Sequence, residues 1–419
     1  MKHFLYWIIS LALVLNLGGC GGGGSDTSIT GSTSYTYSTT SSKGDYAEWT
    51  LSGDQLTAAW NVIQTDGTIA YTFNFTSTCG LADTFGVHTC TVDVASSTCS
   101  DGALTCPGTF TGDFSMMEVP GVALFVQTGS GSSGQLNVGF AKDSNACTQD
   151  VSGDYTTIHT ALGSTENFGL YRVDSNILNV THGDFGFVTS DGNATQSVDY
   201  GTSTPDVTFS DSGCVNGVRT RVLTGSGDTI RSMMTASGLS VWDLPSGQGG
   251  LISFKTANAA TLSDFANKSF GGISFPDDAS PEPISATSGA VSGNQVNITA
   301  VSGGGGSLTI NIKALATAAT VTSPAYPDFS VAPIGYTSAT TSLATTYPTP
   351  AAIPGMFKLD GALTDTGRVI MAAMKFNGKV IGVGMVYNYR TTSEINPATG
   401  TNFTSDGLYN TGNYILFER

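Results

Sequence analysis

The sequence predicts an all-β protein built from tandem antiparallel β-domains, and three observations support this fold class. Charged residues make up only 11% of the 419 residues, and there are 53 glycines. Such a composition suits strands and turns and lacks the charged residues that long surface helices need. Several short segments alternate between apolar and polar residues, which is typical of strands with one buried face. A hairpin motif also recurs, which indicates related copies.

The alternation is clearest in three segments, each bounded by turn-forming residues. They are residues 71–76 (YTFNFT), 136–141 (LNVGFA) and 308–313 (LTINIK). Asp191-Gly192 and Asn377-Gly378 are predicted to form tight hairpin turns, because Asn-Gly and Asp-Gly tolerate the positive φ that these turns require. Short strands at this spacing predict meander barrels or sandwiches, and the sequence leaves that choice open.

The recurring hairpin motif is a methionine four residues before a glycine, followed by an apolar strand. The three pairs are Met117 with Gly121, Met234 with Gly238, and Met374 with Gly378. The copies also share an opening: Gly-Asp-Tyr at residues 44–46 corresponds to residues 153–155, with Phe270 as a degenerate third version. The alternative is coincidence among generic hairpins in a glycine-rich chain.

The two markers recur in the same order, so the sequence predicts three related β-domains. Their predicted boundaries are residues 44–146 (the cysteine-rich domain), 147–257 and 258–419. Residues 323–354 contain six prolines. Because proline cannot donate a hydrogen bond to a central strand, we expect this segment to be a surface loop or insertion in the third domain.

The N-terminus has the parts of an export signal. Lys2 precedes an almost wholly apolar run over residues 4–17, which ends in the small residues Gly18 and Gly19. The run is shorter than the ~20 residues that span a bilayer as a helix. Residues 1–19 are therefore predicted to be a signal peptide rather than a permanent transmembrane helix.

The sequence Leu17-Gly18-Gly19-Cys20 resembles the lipobox of bacterial lipoproteins. The resemblance implies that Cys20 is acylated and becomes the first residue, so that the protein is held at a membrane by lipid chains. Glycine rather than aspartate after Cys20 implies the outer membrane in a two-membrane bacterium. The alternative is an ordinary signal peptide with an incidental cysteine. Residues 20–43, rich in glycine, serine and threonine, are predicted to be a flexible tether.

The net charge of −16 argues against nucleic acid as a partner, because phosphate contacts need lysine and arginine. Six cysteines follow Cys20, and an even number in an exported chain predicts disulfides. They are Cys79, Cys90, Cys99, Cys106, Cys147 and Cys214. Two local bonds among the first four plus Cys147–Cys214 is the favoured pairing. A zinc site at the first four cysteines is disfavoured, because their spacing lacks CxxC pairs.

No catalytic motif, metal site or cofactor site is predicted. The three histidines of the body are interpreted as structural: His88, His159 and His182. No nucleophile elbow, zinc-protease motif or phosphate-binding loop is present. Asp277, Asp278 and Glu282 are an alternative calcium site, but the adjacent prolines favour a stiff surface turn.

Three functional hypotheses follow. The first is a non-enzymatic lipoprotein of the cell envelope that serves binding, adhesion or structure, with a protein or glycan ligand. The second is an envelope glycan or ester hydrolase with a site on its loops, and the third is a carrier of small apolar ligands inside a barrel. The tryptophans Trp49, Trp60 and Trp242 are candidates for either a ligand site or the core.

Overall fold

The computed structural model of the chain describes residues 34–129, 135–143, 145–161, 163, 168–174, 179–184, 197–198, 207–235, 237–245, 249–276, 282–292, 295–302, 307–314, 354–361, 367–396 and 400–419. These residues form β-strands and turns, with two short 3-10 helices at Thr256–Asn258 and Leu262–Phe265. The predicted all-β fold is therefore confirmed, and the strands pair antiparallel as expected.

The first group of strands forms a nine-stranded sheet, called sheet 1. Its strands are β1 (Tyr35–Ser41), β2 (Tyr46–Ser52), β3 (Gln55–Ile63), β4 (Ile69–Cys79), β5 (His88–Val92), β6 (Thr98–Asp101), β7 (Asp113–Val119), β8 (Ala123–Thr128) and β9 (Gln135–Ala141). Their order is β3-β2-β1-β9-β8-β7-β5-β4-β6. A further pairing of β3 with β4 joins distant positions of this order, so the sheet curls back on itself.

The second group repeats this plan as sheet 2. Its strands are β10 (Gly153–His159), β11 (Phe168–Asp174), β12 (Asn179–Asp184), β13 (Ser197–Val198), β14 (Val207–Val215), β15 (Val218–Leu223), β16 (Thr229–Met234), β17 (Leu239–Asp243) and β18 (Gly250–Lys255). Their order is β11-β10-β18-β17-β16-β15-β14-β12-β13, and β11 also pairs with β12.

The third group closes into an eight-stranded barrel, which resolves the choice between barrel and sandwich for this part of the chain. Its strands are β19 (Ser269–Pro276), β20 (Glu282–Ser292), β21 (Gln295–Ser302), β22 (Ser307–Ala314), β23 (Met356–Gly361), β24 (Gly367–Phe376), β25 (Lys379–Arg390) and β26 (Gly407–Glu418). The predicted insertion at residues 323–354 lies outside the described residues except for Pro354.

Strand β1 corrects the predicted tether. The sequence predicts a flexible segment over residues 20–43, but Tyr35–Ser41 is a strand between β2 and β9, with most of its residues buried. Its polar side chains are paired inside the sheet: the Thr39 hydroxyl donates to Ala47 O (3.3 Å) and accepts from Trp49 Nε1 (2.9 Å). The Ser/Thr-rich composition of this segment predicts a linker. Threonine is β-branched, however, and also favours strands, and here the segment forms a strand.

The first strand of each group also shows that the shared opening was misaligned. Residues 153–155 begin β10, the first strand of sheet 2, whereas Tyr46 begins β2, the second strand of sheet 1. Tyr37 in β1 occupies the position that corresponds to Tyr155, and Phe270 occupies it in the barrel. All three rings are fully buried in the interior of their own group. The second and third openings are thus equivalent, and the first is not.

The recurring hairpins lie at equivalent places, because they join β7 to β8, β16 to β17 and β24 to β25. Gly121, Gly238 and Gly378 all have positive φ in these turns. The third turn contains only Asn377 and Gly378, both with positive φ, which confirms the predicted tight turn. Asp191-Gly192 lies outside the described residues.

The methionines of the motif are not all equivalent. Met117 and Met374 point to the outer face of their group, whereas Met234 points into sheet 2 and its neighbour Met233 points outward. The first two turns have the same length, because Val119 pairs with Ala123 and Thr235 N donates to Leu239 O, but the glycine is the second residue of the first turn and the third residue of the second turn. A shift of one residue moves a side chain to the opposite face of a strand.

The outer faces of the three groups pack together into one hydrophobic cluster, called the shared core. Sheet 1, sheet 2 and the barrel all contribute buried side chains to it. They include Phe125, Val138, Ile158, Val241, Ile252, Val383, Ile415 and Phe417. The rings of Phe125 and Phe417 stack at 6.4 Å between sheet 1 and the barrel. The three domains are therefore packed against one another rather than strung along the chain.

Hydrogen bonds supplement the shared core. Thr156 Oγ1 donates to Pro354 O (2.5 Å), and Asn413 Nδ2 donates to Thr160 O (3.0 Å), both between sheet 2 and the barrel. The barrel interior is filled at one end by Phe265 of the second 3-10 helix, which packs against Phe270 and Phe357. Among the described residues, no helix is long and apolar enough to cross a membrane.

We predict that Phe125→Ala destabilises sheet 1 and the barrel together. Loss of a buried phenyl ring leaves a cavity that costs about 3–5 kcal/mol. The measurement is urea unfolding followed by tryptophan fluorescence, which reports on Trp49 and Trp60 in sheet 1 and on Trp242 in sheet 2, and by far-UV circular dichroism. Val291→Ala, at a position 41% exposed, is the control and should change the free energy of unfolding by less than about 0.5 kcal/mol. If the unfolding midpoint measured by fluorescence falls while the midpoint measured by far-UV circular dichroism stays the same, the prediction of a shared core is contradicted.

Candidate functional site

One end of the interior of sheet 1 combines buried polar groups with aromatic rings. Its central residue is Asp45, which follows the turn between β1 and β2 and is 3% exposed. The Ser41 hydroxyl accepts the N–H groups of Lys43 (3.1 Å) and Asp45 (2.9 Å), which fixes this turn. Gly44 has a φ of 91°, and a side chain there would collide with the backbone of Leu244 in sheet 2. Sequence and packing together therefore place Asp45 inside the sheet.

The Asp45 carboxylate accepts hydrogen bonds on both oxygens. Ile63 N donates to Oδ1 (3.0 Å), and Trp60 Nε1 donates to Oδ2 (3.3 Å). The Gln135 side chain also hydrogen-bonds this carboxylate. Burial raises the pKa of Asp45 above its ordinary value of 3.8, and these donors oppose the rise. The carboxylate therefore acts as an anchor for the groups around it.

Next to Gln135 on the same face of β9 lies Asn137, a side chain with no exposed surface. Its neighbours Leu136 and Val138 face the shared core, so Asn137 faces the interior, opposite Val126 of β8. Neither Oδ1 nor Nδ2 of Asn137 has a hydrogen-bond partner among the described residues, and the same holds for Gln135 Oε1. Unpaired buried polar atoms cost about 1–3 kcal/mol each, so these atoms are unusual for a structural role.

Aromatic rings form the other side of this end of the sheet. Trp60 is 5% exposed, and its ring centroid lies 5.5 Å from that of Phe110 and 6.2 Å from that of Phe73. Phe110 also stacks on Phe75 at 4.8 Å. Phe73, Phe110 and Gln135 are only partly buried, so this end keeps contact with solvent. We call Asp45, Trp60, Phe110, Gln135 and Asn137 the Asp45 site.

Disulfides hold the loop that carries Phe110. Cys99 and Cys106 are bonded, and Ser97 Oγ donates to Phe110 O (2.8 Å). Cys79–Cys90 and Cys147–Cys214 are the other two bonds. This is the pairing that the sequence favoured. The last bond ties the connection between sheets 1 and 2 to the hairpin between β14 and β15.

A second buried carboxylate lies close to the Asp45 site, at the junction with sheet 2. Asp243 forms an ion pair with Arg231 (2.9 Å), and Arg231 Nη1 also donates to Gly67 O of sheet 1 (3.2 Å). Complete burial raises the pKa of Asp243 to about 7, Arg231 opposes the rise, and the negative charge of Asp45 adds to it. The ionisation of Asp45 is therefore coupled to the junction between the two sheets.

This arrangement is suited to binding rather than to proton transfer. The oxygens of Asp45 are occupied by N–H donors, whereas the amide of Asn137 offers one acceptor and two donors without partners. No group of three or more His, Cys, Asp or Glu residues suitable for a metal ion occurs in the described part of the chain. The site thus offers neutral hydrogen-bonding groups beside aromatic surface.

The structure also locates other residues that the sequence singled out. Trp49 and Trp242 are core residues: Trp242 Nε1 donates to Ser240 Oγ (2.7 Å), and the Arg221 guanidinium lies 4.8 Å from its ring. His88 is buried, with Nδ1 hydrogen-bonded to Gly80 O (2.8 Å).

Several predicted residues cannot be placed at a site. His159 lies in β10 and His182 in β12, which belong to sheet 2, whereas the Asp45 site lies in sheet 1. Cys20, Asp277 and Asp278 lie outside the described residues. Sequence reasoning considered Trp60 but missed Asp45, Gln135 and Asn137. The sequence signal for Gln135 and Asn137 is that they are polar residues at alternating positions of a strand whose other residues are apolar or glycine.

No protein-family model matches the sequence, and no curated protein matches it. A similar solved structure is the crystal structure of the isotype 1 transferrin binding protein B from serogroup B Neisseria meningitidis. The similarity covers 90% of this chain and 65% of that chain, with 10% sequence identity and a TM-score of 0.17. This chain thus spans less than two thirds of that protein, and a TM-score at this level supports no functional argument.

We predict that stability falls as the pH rises through the titration of Asp243. Its pKa is about 7 in the folded protein and about 3.8 when unfolded, so the folded state binds the extra proton between these values. The free energy of unfolding should decrease by up to ~1.4 kcal/mol per pH unit in this window, as measured by urea unfolding at a series of pH values. Asp243→Asn should flatten this dependence, because asparagine keeps an acceptor for Arg231 without the charge. Asp54→Asn, at an exposed position, is the control, and an unchanged slope in Asp243→Asn would contradict the assignment.

We also predict that the disulfides differ in their contribution to stability. Cys147–Cys214 spans 67 residues and Cys99–Cys106 spans 7. In the loop-entropy account, removing the first by a double Cys→Ser change costs about 4 kcal/mol, and removing the second costs about 2 kcal/mol. Equilibrium unfolding of the two double variants measures the difference. A larger loss for the short loop would show that strain or packing, rather than chain entropy, controls these bonds.

Proposed function

We propose that this protein is an exported lipoprotein of the cell envelope, anchored through Cys20, that binds a ligand non-enzymatically at the Asp45 site. The observation that carries the binding role is the fully buried Asn137 amide, whose donors and acceptor have no partner among the described residues. Such a group is costly in a purely structural core and useful where it meets a ligand.

The location in the envelope is supported by the cysteines and by the N-terminal sequence. All six cysteines that follow Cys20 are paired in disulfides, which form and persist in oxidising compartments outside the cytoplasm. The apolar segment and the lipobox-like residues 17–20 supply an export signal and a site of lipid attachment. Residues 20–34 then connect the anchor to β1, and the outer membrane is the expected destination.

The two alternative functions are less well supported by the described residues. A hydrolase needs a carboxylate that is free to attack or to move a proton, and the Asp45 oxygens are held by N–H donors. A carrier of apolar ligands needs an open apolar interior, whereas Phe265, Phe270, Phe357 and Met371 pack together inside the barrel. Binding by the polar and aromatic end of sheet 1 is therefore the function that we favour.

We predict that Cys20→Ala releases the protein from the membrane fraction into the soluble envelope fraction, because the acylated sulfur is its anchor. Cell fractionation and labelling with a palmitate analogue measure the change, with density-gradient separation of inner and outer membranes to test the destination. Cys20→Ser serves as a second variant that also lacks the thioether, and it should behave in the same way. Membrane association that persists in both variants, with no loss of label, would contradict the lipid anchor.

A further inference from the structure

We infer that the ligand of the Asp45 site is a neutral, hydroxyl-rich ring compound, in chemical terms a single sugar residue. The inference rests on the proposed binding function and adds the class of ligand to it. Three properties of the site carry it: the unpaired hydrogen-bonding groups, the aromatic surface beside them and the balance of charge.

The hydrogen-bonding groups match hydroxyls. The Asn137 amide presents a carbonyl acceptor and two N–H donors on one planar group, and Gln135 Oε1 adds an acceptor. Gln135 and Asn137 alternate in β9, so both side chains lie on the same face of the sheet. A hydroxyl both donates and accepts, so neighbouring hydroxyls on one ring can satisfy a donor and an acceptor that lie side by side.

The aromatic groups match the apolar face of a sugar ring. Trp60 is joined to the polar groups through its N–H bond to Asp45, and Phe110 and Phe73 continue the aromatic surface. Sites for small molecules combine such apolar surface with a few fixed polar groups. A sugar ring has C–H groups on its faces and hydroxyls at its edge. The aromatic rings of the site match the C–H groups, and its amides match the hydroxyls.

The charges argue against ionic ligands. The Asp45 carboxylate at the site repels an anion, whereas the charge of Asp243 at the neighbouring junction is balanced by Arg231. A cation would need free carboxylate oxygens, but both oxygens of Asp45 already accept N–H groups. The unpaired atoms at the site belong to neutral amides. A neutral ligand therefore fits the site best.

The test uses the soluble body of the protein from residue 21 onward together with the full lipidated chain in detergent. The probes are the methyl glycosides of glucose, galactose, mannose and N-acetylglucosamine, with N-methylacetamide as a non-sugar probe that also pairs with an amide. Saturation-transfer NMR detects contact, and isothermal titration calorimetry measures affinity. At least one glycoside should bind, with saturation strongest at the C–H groups of one face of the ring.

The decisive variant is Asn137→Leu. Leucine has the same number and branching of side-chain heavy atoms as asparagine and removes the unpaired polar atoms, so this variant should fold with a thermal midpoint close to or above that of the parent. It should lose at least about 10-fold in affinity for the glycoside. Tyr414→Phe is the matched control, because the Tyr414 hydroxyl is also buried without a partner but lies in the barrel. That control should leave the affinity unchanged.

The outcomes separate the ligand class from the binding function. Binding of N-methylacetamide but of no glycoside, lost in Asn137→Leu, overturns the sugar and leaves the proposed binding function intact. A more stable Asn137→Leu variant with no binding of any probe to the parent protein means that ordered water alone satisfies Asn137, and it overturns the inference. Glycoside binding that is unchanged in Asn137→Leu places the ligand elsewhere on the protein and overturns this site.

Discussion

Burial of both faces of the last strands of each group is the constraint on which the structure depends. In sheet 1, Leu124 and Val126 of β8 point into the sheet, while Ala123 and Phe125 point into the shared core. In the barrel, Leu416 points inward, and Ile415 and Phe417 point into the shared core. Strands buried on both faces read as continuous apolar runs rather than as alternating patterns. Hydrophobic burial in the shared core therefore holds sheet 1, sheet 2 and the barrel together.

The shared core also explains why polar groups concentrate where they do. The turn at Gly44 is pressed against sheet 2, and this contact encloses Asp45 near Asp243. Burying two carboxylates is costly, and the protein reduces the cost with Arg231 for one and N–H donors for the other. The amide of Asn137 receives no such compensation from the described residues. Asn137 differs from Thr40, Gln135 and Tyr414, because both polar atoms of its side chain lack a partner among the described residues.

Local sequence patterns gave a reliable account of element type. Period-two alternation identified strands at residues 71–76, 136–141 and 308–313, although β9 is buried on both faces and carries Asn137 and Gly139 on its inner face. The dipeptide Asn377-Gly378 identified its turn, because both residues tolerate positive φ. Composition was less reliable: Tyr35–Ser41 reads as a linker but forms β1, since its hydroxyls find partners only when β2 and β9 lie beside it.

By itself, the amino-acid sequence determined the all-β class and the recurring hairpins, because each follows from patterns within a few residues. It favoured one pairing of the cysteines without determining it, since six cysteines allow 15 pairings. It did not determine the phase of the repeats, since the spacing to the glycine aligns Met117 with Met234, whereas the strand pairing aligns Met117 with Met233, which lies on the same face. Only the tertiary structure decided that the outer faces merge into a shared core and that Asp45, Trp60 and Asn137 meet at one end of sheet 1. These residues lie on three different strands or their ends, and strand pairing over long sequence separations is what brings them together.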